Sequence, residues 1–472
     1  VPLRRRAAAL ALAATLGAAC SGTPGPFADT RTPASTGSRG PSGGTGSVSC
    51  PAAYAQPDPK RPRIAMTFDL ADDLATVRGT ERVVFTPDLP VTELVFRLTP
   101  NAPMSVAAGS RIQVTAATAD PSGGPFQVQP AGAAPGAQGG LLVVPLGRRV
   151  PPGEQVTAEL AFTLTLGRRA FDRFGHVDAY AWWGSGQPLL AWERGVGWHT
   201  EPLLSFVGES ATSEAAAVDL TVTAPARYTA LTSGVQDPPA DTGNGRRRWH
   251  AVADRARDVS VAVGPFRVAT KRVGETDVVV GTPRQTPPEQ LLMESERAVR
   301  ELSRRYGPAP FPVVNLARLP LEGGGIEYPG SILMLDGSRL VTVHEIAHQW
   351  FYAMVGNSQA RDPWLDEAFA SWAQEEVDGS ASDAALRLPG RVGDPVSAFG
   401  TDEAGYFTTV YGKGAAALTA ARDAAGAGRF DAAIRCYVNA NAWRIARPAD
   451  LARALAGLPK AVAVLRQAGA LP

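Results

Sequence analysis

The sequence predicts a multidomain chain, with an N-terminal antiparallel β domain followed by an α+β domain that carries a helical lobe. Three observations lead there. From about residue 61, short apolar or alternating runs rich in β-branched residues are broken by turns: RIAMTFDL, ATVRGTERVVFT, ELVFRL, LLVVPL, QVTAELAFTLTL, AVDLTVTA and VSVAVGPFRVA. After TPRQTPPEQ the period changes, and PEQLLMESERAVRELSRRY (288–306) places apolar residues at helical spacing before Gly307 and two prolines. Ahead of both lies a stretch around GSRGPSGGTGS that has too little apolar content to build a core. The 472 residues, 44% of them hydrophobic, allow two or three domains. Lys+Arg 46 against Asp+Glu 45 leaves a formal charge of +1, so no global field favours nucleic acid. Arg246, Arg247 and Arg248 form too short a run to change that.

Taken in order, residues 1–20 (VPLRRRAAALALAATLGAAC) have the parts of an export signal. Arg4, Arg5 and Arg6 give the charged start, Ala7 to Leu16 the apolar run, which is too short to span a bilayer, and small residues follow. LGAAC resembles a lipoprotein signal, with Cys20 as the acylated residue, although Gly17 stands where leucine is usual. The resemblance implies an exported protein attached to the outer face of the cell membrane through lipid, with ordinary secretion as the alternative. Residues 21–60 read as a Gly/Ser/Pro linker. Cys50 and Cys436 are the remaining cysteines, and an oxidising compartment would permit a bridge between them. The β domain is expected over 61–275, with His176, His199 and His250 as isolated core or surface histidines. The aromatic stretch WWGSGQPLLAWERGVGW (182–198) either packs internally or faces the next domain. Over 276–472 the helix at 288–306 is followed by a strand (FPVVNLARLP), the glycine-rich LEGGGIEYPG and a second strand (SILMLDG). Helices are expected at 340–355, 364–378 and 411–425, with shorter alanine-rich ones to about 467. A monomer is the default.

Residues 341–352, VTVHEIAHQWFY, hold two of the chain's five histidines. Side chains four apart on a helix lie about 5–6 Å from each other at the β-carbon. His344 and His348 can therefore reach one metal ion, while Glu345 points aside, as suits a group that takes a proton from water rather than a ligand. A catalytic metal site needs a third protein ligand, and DPWLDEAFASW supplies Glu367, with Asp366 beside it. The alternative, a core helix with histidines bonded to backbone or carboxylates, leaves three costly polar groups among Val341, Val343, Ile346, Ala347 and Trp350. Two imidazoles and one carboxylate favour zinc, one ion per chain.

With these residues in view, HEIAHQWFYAMVGNSQARDPWLDEAFASW resembles the M1 metallopeptidases, whose pattern is HExxH, eighteen residues, then Glu; eighteen residues separate His348 from Glu367 here. The resemblance implies His344, His348 and Glu367 as zinc ligands, Glu345 as general base, and Asp366 as a group behind the ligands. GGIEY (324–328) is similar to the family's GxMEN signature, with Ile326 for Met and Tyr328 for Asn. It implies that Glu327 binds a substrate's α-ammonium while Gly324 and Gly325 line the extended peptide. YGKG (411–414) is similar to the family's YxKG element, in which Tyr411 would donate to the developing oxyanion. ATSEAAAVDLTVTAPARYTALTSG looks like a typical segment of the family's first domain, and the resemblance as a whole covers roughly 61–467. It implies a thermolysin-like α+β catalytic domain and an aminopeptidase acting on peptides or protein N-termini. The chain is expected to be a short exported member lacking the C-terminal helical domain of larger relatives, with a more open site. A zinc endopeptidase with weak α-amine recognition, another hydrolase such as an epoxide hydrolase, and a catalytically silent cell-surface binding protein remain alternatives.

Overall fold

The computed structural model describes residues 50–168, 173–204 and 212–472. The signal-like segment, Cys20 and the linker up to residue 49 lie outside the described residues. The N-terminal region is rich in β-structure, and its largest sheet has the order Val235–Gln236, Arg246–Ala256, Ala216–Pro225, Arg63–Leu70, Thr76–Phe85, Val156–Thr165, Arg111–Asp120. Strict alternation builds it: in RIAMTFDL, Ile64, Met66, Phe68 and Leu70 are buried while the residues between them are exposed. The pairing is antiparallel except between Arg63–Leu70 and Ala216–Pro225, which run parallel with Arg63 opposite Ala217. Such a pair joins strands far apart in sequence, so no local turn signal announces it. A four-stranded sheet containing Val91–Arg97 and Leu141–Val150 contributes to the core that this face buries.

The aromatic stretch satisfies both of its expected roles. Trp183 meets Phe68 edge-on at 5.5 Å within the β core. Its neighbour Trp182, pointing the opposite way on the strand Tyr180–Gly184, packs in a cluster with Ile326 and Tyr328 of the following region.

A five-stranded sheet opens the second region, ordered Arg267–Val273, Thr276–Thr282, Val313–Arg318, Ser331–Met334, Gly325–Tyr328. Gly325–Tyr328 is its edge strand, antiparallel to Ser331–Met334. The helix Glu289–Tyr306 buries Leu291, Ser295, Ala298, Val299, Leu302 and Tyr306, a helical spacing, and stops at Gly307, whose φ of 104 suits glycine. The motif helix Arg339–Ala347 starts at Ser338, whose hydroxyl accepts from the Val341 N–H. It ends eight residues earlier than the expected 355, because the chain turns back on itself: Tyr352 has φ 89 and its N–H donates to Val355 O at 2.8 Å. The ligand helix Trp364–Asp378 ends on Gly379 in the left-handed conformation.

The expectation that the chain lacks a C-terminal helical domain is overturned. Helices Gly414–Ala425, Ala427–Asn441, Pro448–Ala454 and Pro459–Gln467 form a substantial C-terminal helical region. The cause is legible in their apolar faces. Phe430, Ile434, Tyr437 and Val438 recur at helical spacing and join Leu451, Leu455, Ala461 and Leu465 in the core that also buries Phe369 and Trp372 of the ligand helix. Phe369 and Tyr437 stack at 5.9 Å across that contact.

Candidate active site

Two helices bring the metal-ligating groups together. His344 and His348 occupy successive turns of the motif helix, with ring centroids 4.8 Å apart. Glu367, in the first turn of the ligand helix, places Oε2 3.4 Å from His344 Nε2 and 3.5 Å from His348 Nε2. The candidate ligand atoms of these three residues all lie within 4.8 Å of one another. Asp366 diverges from its neighbour and holds His348 from behind, Oδ1 to Nδ1 at 2.6 Å. That bond fixes the His348 ring with Nε2 facing Glu367, 3.5 Å from its Oε2. Gln359 donates to the other oxygen of Asp366 at 3.5 Å. A second grouping of Glu327, His348 and Asp366 shares His348, but its Asp366 is already committed to Nδ1.

Whether these residues fit a cation can be tested on their own polar atoms. Glu367 Oε2, Glu345 Oε2 and Glu327 Oε1 are buried without a hydrogen-bond partner among the described residues. Burial and the Glu327 charge push the Glu345 carboxyl well above its ordinary range. Glu327 is raised by burial against the pull of His348. Asp366 is pushed up to about 7 by burial, with His348 acting the other way. Burial also acts upward on Glu367, but His348, His344 and the Tyr411 hydroxyl hold it below the usual carboxylate value. Burial would strip His348 of its proton, yet Glu327, Asp366 and Glu367 raise it well above the imidazole norm. Four carboxylates around two imidazoles thus form a buried anionic centre that draws a positive charge, and the two Nε2 atoms flanking an orphaned carboxylate oxygen give it one focus. The cluster fits a single metal ion.

The remaining sequence candidates adjoin this centre. Gly325 faces Glu345 so closely that a β-carbon there would lie 2.6 Å from the Glu345 carboxyl carbon. The carbonyl of its neighbour Gly324 accepts from Leu335 and Asp336 N–H, both at 2.9 Å, fixing the edge strand. Tyr328, the departure from the family pattern, is fully buried, and its ring fits because Gly184 opposite has no β-carbon. The Tyr328 hydroxyl accepts from Arg173 at 3.0 Å. Tyr411 stacks on His344 at 5.9 Å with only 9° between the rings, its hydroxyl beside Glu367.

One contributor to the site went unread in the sequence. Gln349 donates to the Tyr328 carbonyl at 3.1 Å and accepts from Gly330 N–H at 2.9 Å, tying the glycine-rich strand to the motif helix. Its signal was present: a fourth polar residue in an apolar run, without a role. His199 is not isolated. It is wholly buried, with Nε2 2.6 Å from Glu193 and Nδ1 3.3 Å from Glu201.

Comparison with known proteins accords with this geometry. Residues 335–392 match the Peptidase family M1 domain. The chain superposes on an M1 zinc metallopeptidase from Deinococcus radiodurans with a TM-score of 0.64 and 22% identity, covering 86% of this chain and 92% of that one. The fold is that of the M1 metallopeptidases. A mutant of the Deinococcus protein bound to a Tyr-Ser-Ala substrate matches at 21% identity and TM-score 0.64, over 87% of this chain and 94% of its own. By sequence, the tricorn protease-interacting factor F2 of Thermoplasma volcanium is 26% identical over 231 residues, 41% of this chain. Its counterpart in Thermoplasma acidophilum is 26% identical over 228 residues, 40% of this chain. The chain spans 30% and 29% of the length of these two relatives. The M1 domain match and the HExxH ligand set together support a zinc metallopeptidase classification.

Proposed function

We propose that this chain is a zinc-dependent aminopeptidase that hydrolyses the N-terminal bond of peptides or protein N-termini. One observation carries the reading: Glu327 and Glu345 lie in the same buried cluster as the His344, His348 and Glu367 triad, each with an oxygen that has no hydrogen-bond partner among the described residues. The triad would hold zinc. When bound, the ion supplies Lewis-acid polarisation of a peptide carbonyl and acidifies water near neutral pH. Glu345, on the motif helix but outside the ligand triad, takes the proton of the attacking water and returns it to the leaving amine. The Tyr411 hydroxyl donates to the carbonyl oxygen as charge builds on it. Glu327 accepts from the α-ammonium and so fixes which bond lies over the triad. That a mutant of the Deinococcus relative binds Tyr-Ser-Ala, and another structure holds L-tryptophan, supports a site shaped for free amino termini.

A panel of chromogenic aminoacyl substrates, with and without chelator, tests this. Chelator should abolish turnover, and Glu345→Gln should lower kcat by about 10²-fold or more with zinc still bound. Equal cleavage of free and N-acetylated peptides would move the reading to an endopeptidase, the alternative favoured by Tyr328 in the signature. A zinc-loaded protein with no turnover on any of them would leave a binding protein.

The export reading is part of the same proposal: lipid on Cys20, outside the described residues, would hold the protein at the outer face of the membrane. The bridge between Cys50 and Cys436 supports an oxidising compartment. No helix of the described residues is long and apolar enough to cross a membrane.

A further inference from the structure

The element that carries Tyr411 is irregular. Residues Phe407–Lys413 form a π-helical turn, closed by the Gly414 N–H donating to Thr409 O, and only then does the α-helix Gly414–Ala425 begin. A π turn inserts one extra residue into a helix and persists where the surroundings enforce it, often beside a functional group. Two contacts enforce it here. Lys413 is buried, and its Nζ donates to the Gly390 carbonyl at 2.6 Å; among the described residues no carboxylate pairs with it. Gly390 is itself set by the turn: its φ is 90, and a β-carbon there would lie 2.8 Å from Thr409 Oγ1. The loop it belongs to is tied down in turn, with Val392 and Gly393 N–H donating to Ala468 O at 3.1 Å and Gly469 O at 3.0 Å. On the opposite side, a β-carbon on Gly414 would fall 2.4 Å from the Ala368 β-carbon, next to Glu367. Glycine lets the Tyr411 helix sit directly against the ligand helix.

From this geometry we infer that Lys413 is a positioning residue for Tyr411, its ammonium locking the π turn onto the Gly390 carbonyl. Gly414 sets the distance between the two helices. The physical reason is register. Reverting to α geometry removes the extra residue and turns the preceding segment by about 100° about the axis. Tyr411, now stacked on His344 beside Glu367, would leave both. A buried cation on a carbonyl is a costly group unless the bond is kept, so the lock resists that reversion. The spacing Y-x-K-G then has a mechanical meaning: the tyrosine faces the ligands, the lysine faces the loop on the far side, and the glycine permits contact. The inference rests on the proposed role of Tyr411.

A double-mutant cycle on the full chain tests it, with zinc content and thermal unfolding recorded for each variant. Tyr411→Phe should lower kcat by about 10²-fold. Lys413→Met should lower kcat by about 10-fold or more with KM within about 3-fold, and Lys413→Arg, which keeps a donor, should recover most of it. In the Tyr411→Phe background, Lys413→Met should cost less than about 2-fold, because the residue it acts through is already silent. Equal losses in both backgrounds, or no loss in either, would overturn the inference while leaving the role of Tyr411 intact. No loss in Tyr411→Phe would overturn that role and the inference with it. Should Lys413→Met fail to fold, Lys413→Leu, which also removes the donor, completes the same cycle.

Discussion

Gly325 and Glu345 show how one missing β-carbon can govern a catalytic carboxylate. The Glu345 carboxyl lies where an alanine side chain at 325 would stand, and the nearest contact would be 2.6 Å. Gly325→Ala should therefore push Glu345 aside by most of an ångström, and kcat should fall by about 10²-fold. Zinc content should hold, since the atoms nearest a β-carbon at 325 all belong to Glu345 and not to a ligand; kinetics paired with metal analysis decides the point, and an unchanged kcat would show that the base tolerates the shift. This contact was invisible in the sequence, where the glycine had a reason only by resemblance. The convergence of His344, His348 and Glu367 was readable, because helix geometry stacks residues four apart and the family spacing supplies the third group. Gln349 and Lys413 were not, because each bonds to a backbone carbonyl, and sequence carries no mark of which carbonyl arrives.

Between elements, charge adds to close packing. The strand Trp192–Glu193 and the segment that follows it carry a cluster in which His199 lies between Glu193 and Glu201. Arg447, at the start of the helix Pro448–Ala454, donates to Glu193 at 2.6 Å. Arg361, just ahead of the ligand helix, donates to Glu201 at 2.7 Å, and Arg97 donates to the Glu201 carbonyl at 2.7 Å. The N-terminal β region is thereby clasped to both ends of the helical region. Burial works against the His199 proton, but Glu193 and Glu201 raise its pKa above 6.5. A raised histidine gives stability that is complete below its unfolded value and lost as pH rises through its folded one. Burial acts upward on Glu201, yet His199 and Arg361 hold it down to about 2, so its contribution is lost only in strong acid. Asp362, pushed up to about 6 by burial and by Glu193, takes stability away as pH rises from 3.8 to about 6, where the unfolded carboxyl is ionised and the folded one is not. Above about pH 6.5, where the Asp362 cost is already complete, stability should thus decline further as His199 loses its proton. His199→Ala should cost about 3 kcal/mol at pH 6 and flatten that alkaline decline in chemical-denaturation curves. An unchanged slope would place the pH dependence elsewhere. Of the strands bearing this cluster only the one with Arg97, ELVFRL, was legible through alternation; Trp192–Glu193 lay in the aromatic stretch, and the cluster was not legible, since bonded partners are separated by up to 254 residues. The C-terminal helices show the opposite failure: their alanine-rich pattern was read, but the size of the region they form depends on packing against the ligand helix.

At the scale of the whole molecule, the described chain begins with a strap across the helical region. Cys50 is bonded to Cys436 of the helix Ala427–Asn441 across a separation of 386 residues. Five residues on, Ala55 N–H donates to Asn439 O at 2.8 Å, and Asn439 returns a bond to the Pro51 carbonyl at 2.8 Å. Between them Tyr54 reaches further, donating to Pro308 O at 2.6 Å and accepting from Trp350 Nε1 at 3.1 Å. Burial pushes the Tyr54 hydroxyl up to about 12, so it remains a donor across the physiological range. Trp350 lies just past the motif helix, so the strap ties the start of the β region, the end of the chain and the rear of the zinc-ligating helix into one body. A crosslink that closes so long a loop acts chiefly on the unfolded chain, and typical native bridges contribute about 2–4 kcal/mol. Cys50→Ser with Cys436→Ser should lower unfolding free energy by about that amount. The hydrogen bonds of Tyr54 and Asn439 do not depend on the sulfurs, so kcat at 25 °C should change by less than about 2-fold. Denaturation of the oxidised, reduced and double-serine proteins separates the contributions: reduction and substitution should give the same loss. A fall in kcat alongside stability would instead show that the strap must be held covalently for Trp350, and with it His344 and His348, to keep their places.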